Sequence, residues 1–336
     1  MVRLRVLIGA VGMCAAVVLL AGCGSGNSGS GSGSKQLALV SYSTPREVYP
    51  KQFAAFAKTS TGSGVMFSES YGASGEQSRA VEGGLYADVV SFSLEPDVQR
   101  LVDAGKVAKS WNAGATKGMV TNSVVVMVVR KGNPKGIKSW DDLLKKDVEV
   151  VTPNPFTSGG ARWNLMAAYG AWIKDGSTSD EALGNLDKLL KNTPVQSSSA
   201  REALQVFTSG KGDVMLAYEN EAILAEKKGA DIEYIVPDAT ILIENPIAVT
   251  TGSKHAKQAQ AFVDYLLSAD GQRIYGENGY RPVDPAVAKT FDFPTPKLLF
   301  TINEFGGWNK VMDDFFDREN GKVAKLEQGL GVPTNG

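Results

Sequence analysis

Four short segments set Ser, Thr and Gly where a strand gives way to a helix, and each offers hydrogen-bond donors suited to an anion. They are Ser43-Thr44-Pro45-Arg46-Glu47, Tyr71-Gly72-Ala73-Ser74-Gly75-Glu76-Gln77, Pro155-Phe156-Thr157-Ser158-Gly159-Gly160-Ala161-Arg162-Trp163 and Ser197-Ser198-Ser199-Ala200-Arg201-Glu202. In the first, Thr44 suits an N-cap, Pro45 the first helical position and Glu47 the acid of a capping box. Ser74 with Gln77, and Ser199 with Glu202, repeat that spacing. The first turn of a helix leaves backbone N–H groups unpaired at the positive end of the helix dipole. Gly lets an anion approach that backbone, and Ser adds a hydroxyl. One such junction is an ordinary cap. Several, each at the carboxyl end of a strand, describe the ligand crevice of an open α/β fold.

What the loops lack narrows the anion. Residues 71–75, 157–161 and 197–201 contain no Asp or Glu, while Glu47, Glu76 and Glu202 fall in first helical turns, where they can serve the caps. A pocket of donors alone suits a proton-free dianion such as sulfate. Phosphate near neutral pH carries a proton and calls for an acceptor as well. Catalysis finds no footing. The sole histidine, His255, sits in the polar stretch Thr251–Lys257, and there is no Cys pair, no metal-ligand spacing and no complete phosphate loop around Ser209-Gly210-Lys211-Gly212. No cofactor or metal is called for.

The elements that must position these junctions alternate. Strand-like runs at 37–41, 65–69, 87–91, 122–130, 148–151, 214–217, 232–236 and 247–250 are interleaved with helical patterns at 45–59, 75–83, 139–144, 160–174, 180–191, 200–209, 219–228, 257–268 and 270–277. This predicts an α/β fold with mostly parallel sheets. The long run Asn122–Arg130 and the extended stretch Glu244–Thr250 suit either strands crossing between two lobes or plain core strands. Trp163, Met166, Tyr169, Gly170 and Ile173 form a helical stripe expected in the core.

With 336 residues, 43% of them hydrophobic, the chain is long enough for two domains. The balance of 35 Lys and Arg against 36 Asp and Glu supplies no basic field for nucleic acid and no gross attraction for an anion. The N-terminus reads as a targeting segment. Arg3 and Arg5 precede an apolar run, Val6–Leu20, too short to span a membrane comfortably. That run closes on Leu20-Ala21-Gly22-Cys23, which resembles the lipobox of bacterial lipoproteins and implies cleavage after residue 22 and lipid on Cys23. Residues 24–34 are Gly and Ser with one Asn, a flexible tether spanning roughly 15–20 Å. Removal of Cys14 with the leader leaves one cysteine and no internal disulfide.

The segments Val40–Glu47, Ser70–Gly75, Thr152–Asn164, Gly212–Glu221 and Tyr280-Arg281-Pro282 look like those of the bacterial sulfate-binding proteins, the substrate-binding components of sulfate/thiosulfate ABC transporters. The resemblance runs from about Leu37 past Trp308 and is most distinctive at Thr152–Asn164. It implies the type II periplasmic-binding-protein fold, two α/β lobes joined by hinge strands with the ligand in the cleft. Lobe 1 would take 37–122 with 248–300, lobe 2 would take 123–247, and 301–336 would pack across both. The resemblance further implies donation from Ser43 N–H, the Ser74 and Ser158 hydroxyls, and the N–H groups of Gly159, Gly160 and Ala200. Where the family presents a Trp indole, this chain has Tyr218, which donates or accepts, or else points away. Arg46, Arg162 and Arg201 either pair with the anion or support the loops, and the family pattern favours support. The protein would then be a lipid-anchored extracytoplasmic monomer that hands sulfate or thiosulfate to a permease. Molybdate, tungstate and phosphate are the rival ligands.

Overall fold

The computed structural model describes residues 35–334, so the targeting segment, Cys23 and the tether lie outside the described residues. Strand β1 (Lys35–Tyr42) pairs in parallel with β2 (Val65–Gly72) and β3 (Val89–Ser91). Their connections carry helices α1 (Tyr49–Phe56) and α2 (Ser74–Glu82), and α3 (Glu95–Asp103) follows β3.

Strand β4 (Met119–Arg130) leads into a second half made of β5 (Val150–Val151), β6 (Val214–Tyr218) and β7 (Ile232–Ile235). Helices α4 (Gly159–Lys174), α5 (Ser179–Lys191), α6 (Ala200–Thr208) and α7 (Glu219–Lys227) surround that half. Strand β8 (Ala239–Val249) returns the chain to β3, and α8 (Ala256–Leu267) and α9 (Ala269–Glu277) cover the first half.

The strand order β2-β1-β3-β8-β4-β6-β5 is continuous because β4 and β8 are long enough to serve both halves. They pair antiparallel, residues 119–124 against 242–246, and each then continues into a different half. Their length follows from composition: Val124 to Val129 is buried throughout, as a strand covered on both faces requires. The sheet is therefore mixed, not mostly parallel. Both crossing strands run against their neighbours β3, β6 and β7, while β1 with β2 and β3, β5 with β6, and one further strand contact are parallel.

That further contact involves a strand late in the chain. The strand Leu298–Phe300, expected in the first lobe, pairs in parallel with Ala239–Ile241 beside the second-half core. The chain beyond it buries Trp308, Val311, Phe315 and Phe316 against α4 and reaches α3. Helix α4 is thus covered all round, with every residue from Gly159 to Trp172 buried, as a helix without a polar face must be. Gly170 is required there, since a Cβ would lie 2.4 Å from the Phe300 ring.

Candidate functional site

Each of the four donor-rich junctions ends at one place. Ser43, Ser74, Ser158, Gly159, Gly160, Ala200 and Tyr218 line a single cavity, together with Tyr42, Thr44, Ala73 and Ser93. The cavity is small, about 10 Å³. Two larger clefts, of about 460 Å³ beside Trp111 and about 350 Å³ beside Trp140 and Trp172, contain none of these residues.

The second half contributes the starts of α4 and α6. Ser158 is the N-cap of α4 in extended backbone geometry, yet its side chain makes no capping bond, so the hydroxyl is not used by the helix. Gly159 and Gly160 are the first two helical residues, whose N–H groups have no intrahelical acceptor. Ala200 opens α6, with Ser199 as the N-cap accepting from Glu202 N–H at 3.3 Å. A Cβ placed on Gly160 would lie 3.5 Å from Ser158 Oγ, 3.6 Å from Ala200 Cβ and 3.6 Å from the Tyr218 ring, so these junctions share one small neighbourhood.

The first half differs from expectation in detail. Ser74 is the first residue of α2 and not its cap, which is Ala73, and Gln77 accepts from the Ser70 hydroxyl. The Ser74 hydroxyl, expected to donate into the cavity, donates to Asp97 Oδ2 at 2.6 Å and accepts Ser93 N–H at 2.9 Å. While that bond holds, Ser74 offers its backbone N–H alone. Ser43, not Thr44, precedes the short helix Thr44–Glu47, and no side chain caps it.

Glu47 is likewise not a capping acid. It takes a bidentate pair from Arg201, at 2.8 and 2.8 Å, and a third bond from Lys228 at 2.9 Å, which ties α6 and α7 to the first half. None of the three arginines lines the cavity. Arg46 stacks over the Tyr71 ring at 5.2 Å. Arg162 donates to Pro155 O at 2.7 Å, and burial pulls its guanidinium down to about 10. Burial also opposes the charge of Arg201, but Glu221 at 3.5 Å and Glu47 outweigh it and raise its pKa.

The two halves are closed on each other. Gly75 N–H donates to Thr157 O at 3.3 Å, Trp163 Nε1–H donates to Ser93 O at 2.9 Å, and the hydroxyls of Ser93 and Tyr218 are 2.6 Å apart. A Cβ on Gly159 would meet Ser93 Oγ at 2.6 Å and Leu94 Cγ at 2.8 Å. Only Gly permits that approach. Burial raises the Tyr218 phenol well above its ordinary value, so it stays protonated at every physiological pH.

Ser93 and Asp97 escaped the sequence reading because α3 did. The signals were present: Glu95-Pro96-Asp97 is an acidic first turn with Pro at the second helical position, and Val98, Leu101 and Val102 repeat at helical spacing. Ser93 lies two residues beyond the carboxyl end of β3, much as Ser43 lies one residue beyond that of β1.

Two lobes closing over a small cavity built from helix starts define an extracytoplasmic solute-binding protein. The chain belongs to the bacterial extracellular solute-binding protein family, whose model matches residues 37–281. It is 42% identical to the sulfate-binding protein of Synechococcus elongatus over 332 residues, 94% of each chain. It is 35% identical to the thiosulfate-binding protein of Pseudomonas aeruginosa, covering 82% of this chain and 88% of that one. Among solved structures, the sulfate-binding protein SubI from Mycobacterium tuberculosis H37Rv superposes with a TM-score of 0.82 at 44% identity, over 84% of this chain and all of that one. The fold is the type II periplasmic-binding-protein fold, and no catalytic family is indicated.

Proposed function

We propose that this protein is the substrate-binding component of an ABC importer and takes sulfate, or thiosulfate, between its lobes without catalysing a reaction. The convergence of the seven candidate residues from both lobes on one small cavity carries this reading. Donors in it are the N–H groups of Ser43, Ser74, Gly159, Gly160 and Ala200 and the Ser158 hydroxyl, with Arg162 and Arg201 holding the loops. The lining has no carboxylate, which suits a dianion that brings only acceptors. About six or seven charge-assisted bonds at roughly 1.5–3 kcal/mol each exceed what capture needs in gross terms. After dehydration of the ion and ordering of the lobes, a net of about -8 kcal/mol, a micromolar Kd, is expected.

The lobes meet at the crossing strands β4 and β8, near residues 122 and 247, and we assign them the hinge. Lipid on Cys23 and the tether would hold a monomer at the outer face of the cytoplasmic membrane, where the closed form docks on the permease. Calorimetric titration of residues 35–336 with sulfate, thiosulfate, molybdate and phosphate at equal ionic strength tests the ligand. Micromolar sulfate or thiosulfate binding with phosphate at least 100-fold weaker supports the reading; heat with none of the four, or a preference for phosphate, refutes it. Replacing Cys23 with Ala should move the full chain from the membrane fraction to the soluble one.

A further inference from the structure

The cavity contains one hydroxyl pair whose protons do not balance within the protein. Ser93 Oγ and Tyr218 Oη stand 2.6 Å apart, and only one proton lies between them. Each residue brings one, so the second must point elsewhere. Asn245 Nδ2 donates to Ser93 O at 3.1 Å. Ser93 N–H is committed to Ser74 Oγ, and Ser93 O accepts from both Trp163 and Asn245. Every polar atom of Ser93 except its hydroxyl is therefore spent on holding it in place, at the edge of the cavity and against Gly159.

We infer that Ser93 is a ligand-contacting hydroxyl donor of this site and that Tyr218 is the residue that positions it, a role that rests on the oxyanion reading above. The phenol, the stronger acid of the two, donates to Ser93 Oγ, and the Ser93 proton is left to face the anion. The pair thereby presents a donor from the first lobe that is held in place by a residue of the second. It also joins recognition to closure, since the bond exists only when β6, which ends at Tyr218, meets the loop after β3. An acceptor-only dianion accepts the hydrogen bond that this hydroxyl donates. Because Tyr218 acts through Ser93, its phenol oxygen need not touch the ligand at all.

A double-mutant cycle with sulfate titration tests this on residues 35–336. Ser93→Ala should weaken sulfate binding about 10- to 100-fold, which is about 1.4–2.8 kcal/mol. Tyr218→Phe should weaken it about 3- to 10-fold in the parent and less than twofold in the Ser93→Ala background. The melting temperatures of the ligand-free proteins serve as the control for folding. Should Ser93→Ala fail to fold, Ser93→Cys, a near-isosteric weaker donor, takes its place with the same order of effects. Wild-type protein that binds sulfate with Ser93→Ala within twofold of it overturns the inference. Additive losses in the double mutant overturn the positioning role of Tyr218. No sulfate binding by the wild type defeats the oxyanion reading itself, and this inference falls with it.

Discussion

Replacing Gly159 with Ala should block closure of the lobes while leaving each lobe intact. Gly159 belongs to α4 in the second lobe, but the space its Cβ would occupy belongs to the first: Ser93 Oγ at 2.6 Å, and Leu94 Cγ and Ser93 Cβ at 2.8 Å. Ordinary contact for a Cβ begins near 3.4 Å, so the lobes must stand apart by about 0.6–0.8 Å at this point. Hydrogen bonds near 2.9 Å stretched by that amount pass the limit at which they hold. An anion gripped by one lobe then loses two or three donors from the other, at about 1.5–3 kcal/mol each. Partial compensation by water leaves roughly 3–6 kcal/mol, or a 10²- to 10⁴-fold weaker Kd. The substitution touches the contact between lobes and not the interior of either, so the ligand-free protein should lose less than about 1 kcal/mol of stability. Paired sulfate titration and thermal unfolding read both quantities. Sulfate binding within threefold of wild type would refute the reasoning, because the close approach at Gly159 would then have no part in holding the ion.

Three other perturbations follow from the same geometry. Glu47→Gln removes the acid that Arg201 and Lys228 share across the lobes; it should weaken sulfate binding about 3- to 10-fold by favouring the open form, with the change read as a shift in small-angle scattering of the ligand-free protein. Asp142, despite partial burial, is held down to about 2 by Lys145 and by the N–H groups of Lys138 and Ser139. Its folded value lies below the unfolded one, so its stabilisation is present above about pH 4 and lost as pH falls towards 2, and Asp142→Asn should cost about 1–2 kcal/mol at pH 7 and flatten the stability–pH curve in that window. Gly184 lies inside α5 with nothing within 4 Å of an added Cβ, so Gly184→Ala should raise stability by about 0.5–1 kcal/mol in chemical denaturation and leave sulfate affinity unchanged.

Most of the architecture was legible because it was written locally. Helices at 74–82, 159–174, 179–191 and 200–208 begin within a residue or so of where Ser and Gly punctuate the chain. The convergence of four helix starts could be argued from strand-to-helix order alone, since the carboxyl ends of neighbouring strands share one edge. Pairing direction was not legible. The antiparallel entry of β4 and β8 depends on which half each long strand returns to, and no local residue encodes that. Side-chain commitments were hidden for the same reason. Glu47 has capping-box spacing, yet an arginine 154 residues away competes for it and wins. Ser74 has the right type and place for a donor, but Asp97 arrives from a helix that went unrecognised and accepts its hydrogen bond.

A crystal structure of residues 35–336, grown free of sulfate and phosphate and then supplied with equimolar sulfate, tests the central claim most directly. Tetrahedral density between the starts of α2, α4 and α6, within about 3.2 Å of the Ser158 hydroxyl and the Gly159, Gly160 and Ala200 nitrogens and with no carboxylate oxygen as close, is the predicted result. Sulfate lodged elsewhere, or a carboxylate such as Asp97 turned to contact it, would contradict the account.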